Sequence, residues 1–303
     1  MPLHQNTKQN YLLLWVITER YQLVSIDKSL RALLSASALA PAEAKILMAH
    51  ILEQHYQLPR STLLSRDEMA LDDQAFTNWK DLETRRLKGE PIAYLIGKRG
   101  FHNIELFVAP GVLIPRPETE LLVEIGLREI ERLGRSLKVL DLGTGSGAIA
   151  LAIGRESNLA QVTATDQSLE ALEIAKHNAK QLGVDSQIQF MHGSWYDALG
   201  SDSTFDIILS NPPYIASQDP HLNQGDLRFE PLSALTDHGN GLNCLEKIIS
   251  GALKHLNPNG LIAVEHGYDQ SEAVVDLMKL VGLCDIQTHL DLGGHYRSVS
   301  GRK

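Results

Sequence analysis

The sequence predicts an α/β protein: a mainly parallel sheet of seven strands covered by helices, preceded by a small helical domain and a connecting β-hairpin. Three observations carry this. From Lys138 onward, short apolar runs alternate with helix-like segments, the pattern of a parallel sheet buried on both faces. Before about residue 90 the apolar residues recur only at helical spacing, and between the two regions lie β-rich runs punctuated by glycine. The chain has 303 residues, 43% hydrophobic and 21% charged, enough to bury a large core.

Residues 1–25 form an unassigned extension. Its apolar run YLLLWVI, Tyr11–Ile17, is followed by Thr18-Glu19-Arg20 and preceded by one lysine, Lys8. A buried helical turn explains it better than a secretory leader, which ends in small residues. No run is long enough to span a membrane, so a soluble, cytoplasmic protein is expected. Residues 26–90 read as helices. Leu30, Leu33, Leu34 and Ala38 make one stripe, and Ala44, Leu47, Met48 and Ile51 a second, behind Pro41. Ala75, Trp79 and Leu82 make a third, closed by Lys88-Gly89. These are packing faces and imply no cofactor. PIAYLIGKRGFHNIELFV, within 91–110, reads as a hairpin around Gly97 and Gly100.

Residues 111–303 carry the sheet. KVLDLG, QVTATD, IQFMHG, FDIILS, GLIAVEHG, CDIQTHLDL and YRSVSGRK supply seven strand-like runs. AIALAIGRE and the segment through Ala171, Ile174 and Ala175 read as helices.

Composition narrows the function. Thirty-seven acidic residues against 28 basic give a net charge of −9, which argues against stable binding to a phosphate backbone. Two separated cysteines, Cys244 and Cys284, make neither a disulfide framework nor a thiolate zinc site. The twelve histidines show no metal-ligand spacing, so no metal is expected.

The chemistry lies at strand ends. DLGTGSG places Gly143, Thr144, Gly145, Ser146 and Gly147 between a strand and a helix, where glycines let backbone approach a ligand. Nicotinamide, flavin and methyl-donor sites all share such a loop. The next strand ends in Asp166, placed to accept hydrogen bonds from ribose hydroxyls or to cap the helix that follows. Asp141, two residues before the first glycine, is expected to project toward the ligand, where a carboxylate suits the ammonium and sulfonium of S-adenosylmethionine and poorly suits a pyrophosphate.

The fourth strand ends in Asn211-Pro212-Pro213-Tyr214. A residue before proline is held extended, and each proline has φ near −65° and no N–H. The corner is therefore rigid and offers acceptors: the Asn211 side-chain oxygen and the Pro212 carbonyl. Two fixed acceptors can grip an –NH2 by both hydrogens and aim its nitrogen at a waiting methyl group, while Tyr214 stacks on the planar substrate. Asn211, Pro212 and Tyr214 are the catalytic candidates, with Pro213 completing the substrate corner. Arg116, between Pro115 and Pro117, is stiffly held, and the simplest reading is a salt bridge to a nearby acid.

VLDLGTGSGAIALA, TATD, GSWYDAL and LSNPPYI resemble the S-adenosylmethionine-dependent methyltransferases that modify planar nitrogens. Within them, GEPIAYLIG, LIPRPETELLVE, QGDLRFEPLSAL and VEHG resemble the release-factor glutamine methyltransferases, from about Ile26 to the C-terminus. The resemblance implies a Rossmann-like class I methyltransferase domain. It implies that Gly143–Gly147 and Asp166 hold S-adenosyl-L-methionine, with Trp195 near the adenine, and that Asn211–Tyr214 hold the substrate. That substrate would be the glutamine of the Gly-Gly-Gln loop of class I peptide-chain release factors, docked by the 26–90 helices. Ser194 stands where the family commonly has Asp, and His295 and Tyr296 where it has polar or acidic residues. Three other functions compete: glutamine methylation of a ribosomal protein, methylation of an exocyclic base amine in nucleic acid, and non-catalytic nucleotide binding.

Overall fold

In the computed structural model, which describes residues 26–303, the helices begin where short polar side chains or proline can open them. The helical turn expected at Tyr11–Ile17 lies outside the described residues. The unit ending at Leu87 contains helices Leu30–Ala36, Pro41–Tyr56, Thr62–Ser65 and Asp73–Leu87. The Ser29 hydroxyl accepts from Ala32 N, and Pro41 opens the second helix, positions that suit a cap and a residue lacking N–H. Leu30, Leu33, Ala44, Leu47, Met48, Ile51, Ala75, Trp79 and Leu82 are buried together with Leu52. The first stripe ends early. Ser37 leaves the helix in an extended conformation, so Ala38 is exposed and Leu39 takes the buried place.

The second unit, Lys88–Lys303, opens differently from expectation. IAYLI is a helix, Ile92–Ile96, stopped by Gly97 at φ +68°, the left-handed position that favours glycine. The hairpin itself is shorter: β1, Lys98–Phe101, pairs antiparallel with β2, Ile104–Phe107. It is tied to the body of the unit through Asn178, a buried helical residue. Asn178 accepts from Phe107 N at 2.8 Å and donates to the carbonyls of Phe107 and Ser146 at 3.0 and 2.9 Å.

Seven strands form the main sheet: β3 Leu137–Leu142, β4 Ala160–Asp166, β5 Ile188–His192, β6 Phe205–Ser210, β7 Leu256–Glu265, β8 Cys284–Leu290 and β9 Tyr296–Arg302. Their order is β5-β4-β3-β6-β7-β9-β8. β3 to β7 pair in parallel, and β9 runs antiparallel to both β7 and β8. Side chains alternate between two cores: Val139, Ile207, Leu209 and Ala263 face one, and Leu140, Leu142, Ile208 and Val264 the other, the two-residue period of a sheet buried on both faces.

The chain starts in the middle of the sheet at β3, winds outward to β5, and returns to β6 on the other side of β3. Open α/β sheets keep their ligands at the carboxyl ends of strands flanking such a reversal. The register pairs Leu142 with Ser210, so the glycine loop and Asn211 leave the sheet side by side. The Ser210 hydroxyl donates to the Leu142 carbonyl at 2.7 Å, tying the two strand ends together.

Helix Glu120–Leu133 was not anticipated from the sequence, although Pro117 precedes it and Gly134 closes it at φ +60°. It anchors β9 through Glu129. That carboxylate is buried and receives two hydrogen bonds from Arg132, at 2.8 and 2.7 Å, and two from Arg302 of β9, at 2.7 and 2.9 Å. Burial alone would raise its pKa; the hydrogen bonds from Arg132 and Arg302 outweigh burial and hold it at about 2. Glu129→Gln is expected to lower stability at pH 7 by about 1.5–3 kcal/mol, the range for hydrogen bonds to a charged group. The sign follows from the depressed pKa. The contribution is complete above the ordinary glutamate value of 4.5 and fades as pH falls toward 2. Urea unfolding at a series of pH values should show the two proteins converging in acid.

Candidate active site

A cleft opens at the carboxyl ends of β3, β4 and β6, bordered by the glycine loop, Asp166, Trp195 and Asn211. The glycine loop makes its floor. Gly143, Gly145 and Gly147 have φ of +74°, +56° and +89°. Gly143 N and Thr144 N both donate to the Thr165 carbonyl at 2.9 Å, which folds the loop back over the end of β4. A Cβ on Gly145 would meet nothing within 4 Å, so bare backbone faces the cleft there.

Asp166 stands at the end of β4 on the cleft wall. Its Oδ2 accepts from Gly145 N at 2.9 Å and its Oδ1 from Ser168 N at 2.8 Å. Burial raises its pKa, and the backbone N–H groups of Ser168 and Gly145 oppose that. The helix cap is Ser168, whose hydroxyl accepts from Ala171 N at 3.1 Å; Asp166 braces the glycine loop against that cap.

Opposite stands Trp195, with φ +49°, a backbone conformation a bulky residue adopts only when its surroundings impose it. Its ring lies over Gly143, where an added Cβ would come within 3.2 Å of Cζ3. Ser146 and Ser194 also line the cleft. Gly147 lies behind it, and a Cβ there would strike Leu151 at 2.7 Å. His295 lies in the β8–β9 turn, which Asp291 closes by accepting from His295 N, and Tyr296 opens β9.

Asp141 requires a correction. It is almost fully buried and does not line the cleft. In the pleat it shares a face with Val139, the side on which helix Ala148–Glu156 packs. Its Oδ2 accepts from the Thr144 hydroxyl at 2.6 Å and from Ala150 N in the first turn of that helix at 3.2 Å. Asp141 therefore holds the glycine loop from beneath. Burial lifts its pKa to about 7, against the Thr144 hydroxyl and Ala150 N, which lower it.

Asn211 lines two cavities. It borders the main cleft with Pro213, and a smaller cavity of about 360 Å³ with Pro212, Tyr214 and Arg116. Its Nδ2 donates to Thr119 Oγ1 at 3.0 Å. Among the described residues no group donates to its Oδ1 or to the Pro212 carbonyl, so both acceptors remain available. Tyr214 is fixed at both ends. Its hydroxyl donates to Glu265 Oε1 at 3.1 Å, and its carbonyl accepts from Gln270 Nε2 at 3.0 Å. Arg116 makes the expected salt bridge, with Glu230. The Glu230 side chain is fully buried and also accepts from Ile114 N at 2.9 Å.

Thr119, Glu230 and Glu265 were not singled out by sequence reasoning, although all three lie within the stretches PRPETE, FEPL and VEHG. Their partners lie far along the chain: Thr119 and Asn211 are 92 residues apart, Glu230 and Arg116 are 114, and Glu265 and Tyr214 are 51.

Among solved structures, a methyltransferase from Pyrococcus furiosus superposes with a TM-score of 0.51 at 19% identity, over 74% of this chain and 98% of that one. The catalytic domain of hMettl16 gives 0.52 at 16%, over 76% of this chain and 82% of that one. Both show the fold. Residues 118–227 match the methyltransferase small domain and residues 28–97 the PrmC N-terminal domain. The release factor glutamine methyltransferase of Burkholderia pseudomallei is 44% identical over 89% of this chain and 94% of its own. That of Bordetella pertussis is 45% identical over 90% and 98%. The chain belongs to the release factor glutamine methyltransferase family.

The cleft fits S-adenosylmethionine. Its floor is bare backbone at Gly145, an indole forms one wall, and each Asp166 oxygen accepts a single backbone N–H, leaving lone pairs for ribose hydroxyls. Asp166→Ala is expected to weaken S-adenosylmethionine binding by about 1.5–3 kcal/mol. Calorimetry finding an unchanged affinity would mean that Asp166 serves the loop alone.

Proposed function

We propose that the chain methylates the side-chain amide nitrogen of the glutamine in the Gly-Gly-Gln loop of class I release factors. The observation that carries this is Asn211, set between a cleft that fits S-adenosylmethionine and a smaller cavity, with its Oδ1 and the Pro212 carbonyl accepting from no group among the described residues. The bound cofactor supplies an electrophilic methyl group; everything else is done by fixed protein groups.

An amide nitrogen is a poor nucleophile because its lone pair is delocalised into the carbonyl. Asn211 Oδ1 and the Pro212 carbonyl take its two hydrogens and hold the nitrogen between the cavities, with its lone pair toward the main cleft. The prolines fix both acceptors in advance, so little orientation is lost at the moment of transfer. Tyr214, half-buried and bonded at both ends, stacks on the planar amide. Burial, with the nearby Glu265 carboxyl, raises its pKa well above the ordinary tyrosine value, and the hydroxyl stays protonated.

Such a corner also suits an exocyclic base amine, so discrimination falls to the rest of the cavity. The clamp offers acceptors, and an amide oxygen needs a donor. Arg116 is, among the described residues, the one charged side chain lining the smaller cavity, and its guanidinium carries more donors than Glu230 uses. We assign it to the glutamine carbonyl oxygen. Residues 26–90, which overlap the segment matching the PrmC N-terminal domain, are proposed to dock the release factor. A substrate of the translation machinery supports a cytoplasmic location for the enzyme; among the described residues no helix is long and apolar enough to cross a membrane.

With labelled cofactor and an intact release factor, Asn211→Ala is expected to lose about 10²–10³-fold in turnover, as when a preorganised polar contact is removed, while still binding S-adenosylmethionine. A factor whose loop glutamine is replaced by leucine should take up no label. Label entering that factor, or DNA methylated more efficiently than the intact one, would transfer the reading to a base amine. Arg116→Met should reduce kcat/KM for the factor by about tenfold or more, the cost of one hydrogen bond from a charged donor. Unchanged kcat/KM would leave Arg116 a structural partner of Glu230 alone.

A further inference from the structure

Two prolines fix φ in the clamp, but they leave ψ free and carry no N–H with which to tie the corner down. Upstream, the corner is held by the sheet, where Ser210 bonds to the Leu142 carbonyl. Downstream, Gln270 holds it. Gln270 Nε2 donates to the Tyr214 carbonyl at 3.0 Å and to the Gly241 carbonyl at 3.3 Å, and its Oε1 accepts from Gly267 N at 2.8 Å. All three partners are backbone groups of fixed polarity, so the amide has a single orientation. The Gln270 backbone is equally well held. Its N–H donates to the Gly267 carbonyl at 2.9 Å, and its carbonyl accepts from Val274 N at 3.0 Å. It thereby opens helix Ser271–Leu280, whose Val274 and Met278 are fully buried. Gly241 presses on the same junction with φ +89°. A Cβ there would come within 2.5 Å of the Tyr214 carbonyl oxygen and 2.8 Å of Gln270 Nε2.

We propose that Gln270 is a positioning residue for methyl transfer: it is the donor that fixes the direction of the chain as it leaves the clamp. This rests on the clamp reading above and adds the group that holds the clamp's downstream end. A turn about ψ of Pro213 would swing the Tyr214 peptide, tilt the ring against the substrate amide and move the Pro212 carbonyl off its hydrogen. The bond from Gln270 to the Tyr214 carbonyl opposes that turn, and the bond from Ile215 N to the Leu235 carbonyl, at 3.0 Å, holds the next peptide. One planar group with two N–H donors and one acceptor matches two carbonyls and one N–H. Gln270 lines neither cavity. Its loss is therefore felt in the alignment of nitrogen with methyl, to which transfer rates are sensitive, and not in the affinity for the cofactor.

Glutamate is the isostere that separates this role from mere space-filling. Ionised, Gln270→Glu still accepts from Gly267 N, but it turns an acceptor toward two carbonyls, and the Tyr214 carbonyl loses its donor. Protonated, its hydroxyl can donate to that carbonyl again. The titratable groups around the position are Asp237, whose carboxylate accepts from Gly241 N, His266 and Asp269 on the same loop, and Tyr214 with Glu265 on the clamp side. All are common to the variant and the wild type, so the ratio of the two rates isolates the new carboxyl. The carboxylates of Asp237 and Asp269 disfavour its charged form, which brings the recovery into mild acid.

The experiment measures kcat and the KM for S-adenosylmethionine between about pH 5.5 and 9, with intact release factor, for the full-length wild type, Gln270→Glu and Gly241→Ala. Wild-type methylation of the loop glutamine tests the underlying reading by itself, and the variants are compared with the wild type on that substrate. At about pH 8, Gln270→Glu should lose about tenfold or more in kcat, the effect of leaving a backbone carbonyl without its donor, with KM for S-adenosylmethionine unchanged. The ratio of variant to wild-type kcat should climb as pH falls. Gly241→Ala, which wedges a methyl group between Gln270 and the Tyr214 carbonyl, should show the same loss at every pH. Gln270→Glu with wild-type kcat at about pH 8, or with a loss that does not change with pH, overturns the inference. Should that variant fail to fold, Gly241→Ala with wild-type kcat overturns it equally.

Discussion

Parallel pairing of β3 with β6 is the constraint on which the site depends. These strands are far apart in sequence and adjacent at the centre of the sheet, and both end at one level, where Ser210 bonds to the Leu142 carbonyl. One continues into a glycine loop that turns back over β4, the other into two prolines. Backbone leaving the first is bare and flexible in its choice of φ, which suits close approach to a ligand. Backbone leaving the second is nearly immobile, which suits directing a reaction. A one-residue slip in this pairing would carry Asn211 to the other face of the sheet and separate it from both cavities.

Each strand end is supported by a buried acid that the ligand never meets. Asp141 lies beneath the glycine loop and Glu265 behind the clamp, and burial brings both near pH 7. Neither has an ion-pair partner among the described residues, so both impose a cost on the fold. That cost is consistent with their positions: each is the acceptor that orders donors around a functional segment, Thr144 and Ala150 in one case, Tyr214 in the other. Polar groups satisfied in only one arrangement specify that arrangement.

Much of this was legible in the sequence, and the limits of legibility are physical. Strand–glycine–helix, an acid at the next strand end, and Asn-Pro-Pro-Tyr after a fourth strand are local patterns, and they marked the cleft. The hairpin was overextended because IAYLI is as apolar as a strand, and only the left-handed Gly97 shows that it closes a helical turn. Helix Glu120–Leu133 carried its start and stop signals in Pro117 and Gly134 and was overlooked beside the stiff IPRPETE segment. Asp141 was assigned to the ligand because its place at a strand end was visible, whereas its face was not. Pleat parity puts it with Val139, under a helix. Thr119 and Glu265 act through partners 92 and 51 residues distant, and only the closed sheet brings those together.

The central claim is that Asn211 Oδ1 and the Pro212 carbonyl together grip the two hydrogens of a planar –NH2 between the cavities. A crystal structure of the protein with S-adenosylhomocysteine and a Gly-Gly-Gln peptide tests it most directly. The account predicts the glutamine nitrogen at about 2.7–3.2 Å from both acceptors, ordinary hydrogen-bond distances, with its ring-facing plane on Tyr214. A glutamine bound outside the smaller cavity, or one turned so that its carbonyl oxygen meets Asn211 Nδ2, would contradict it.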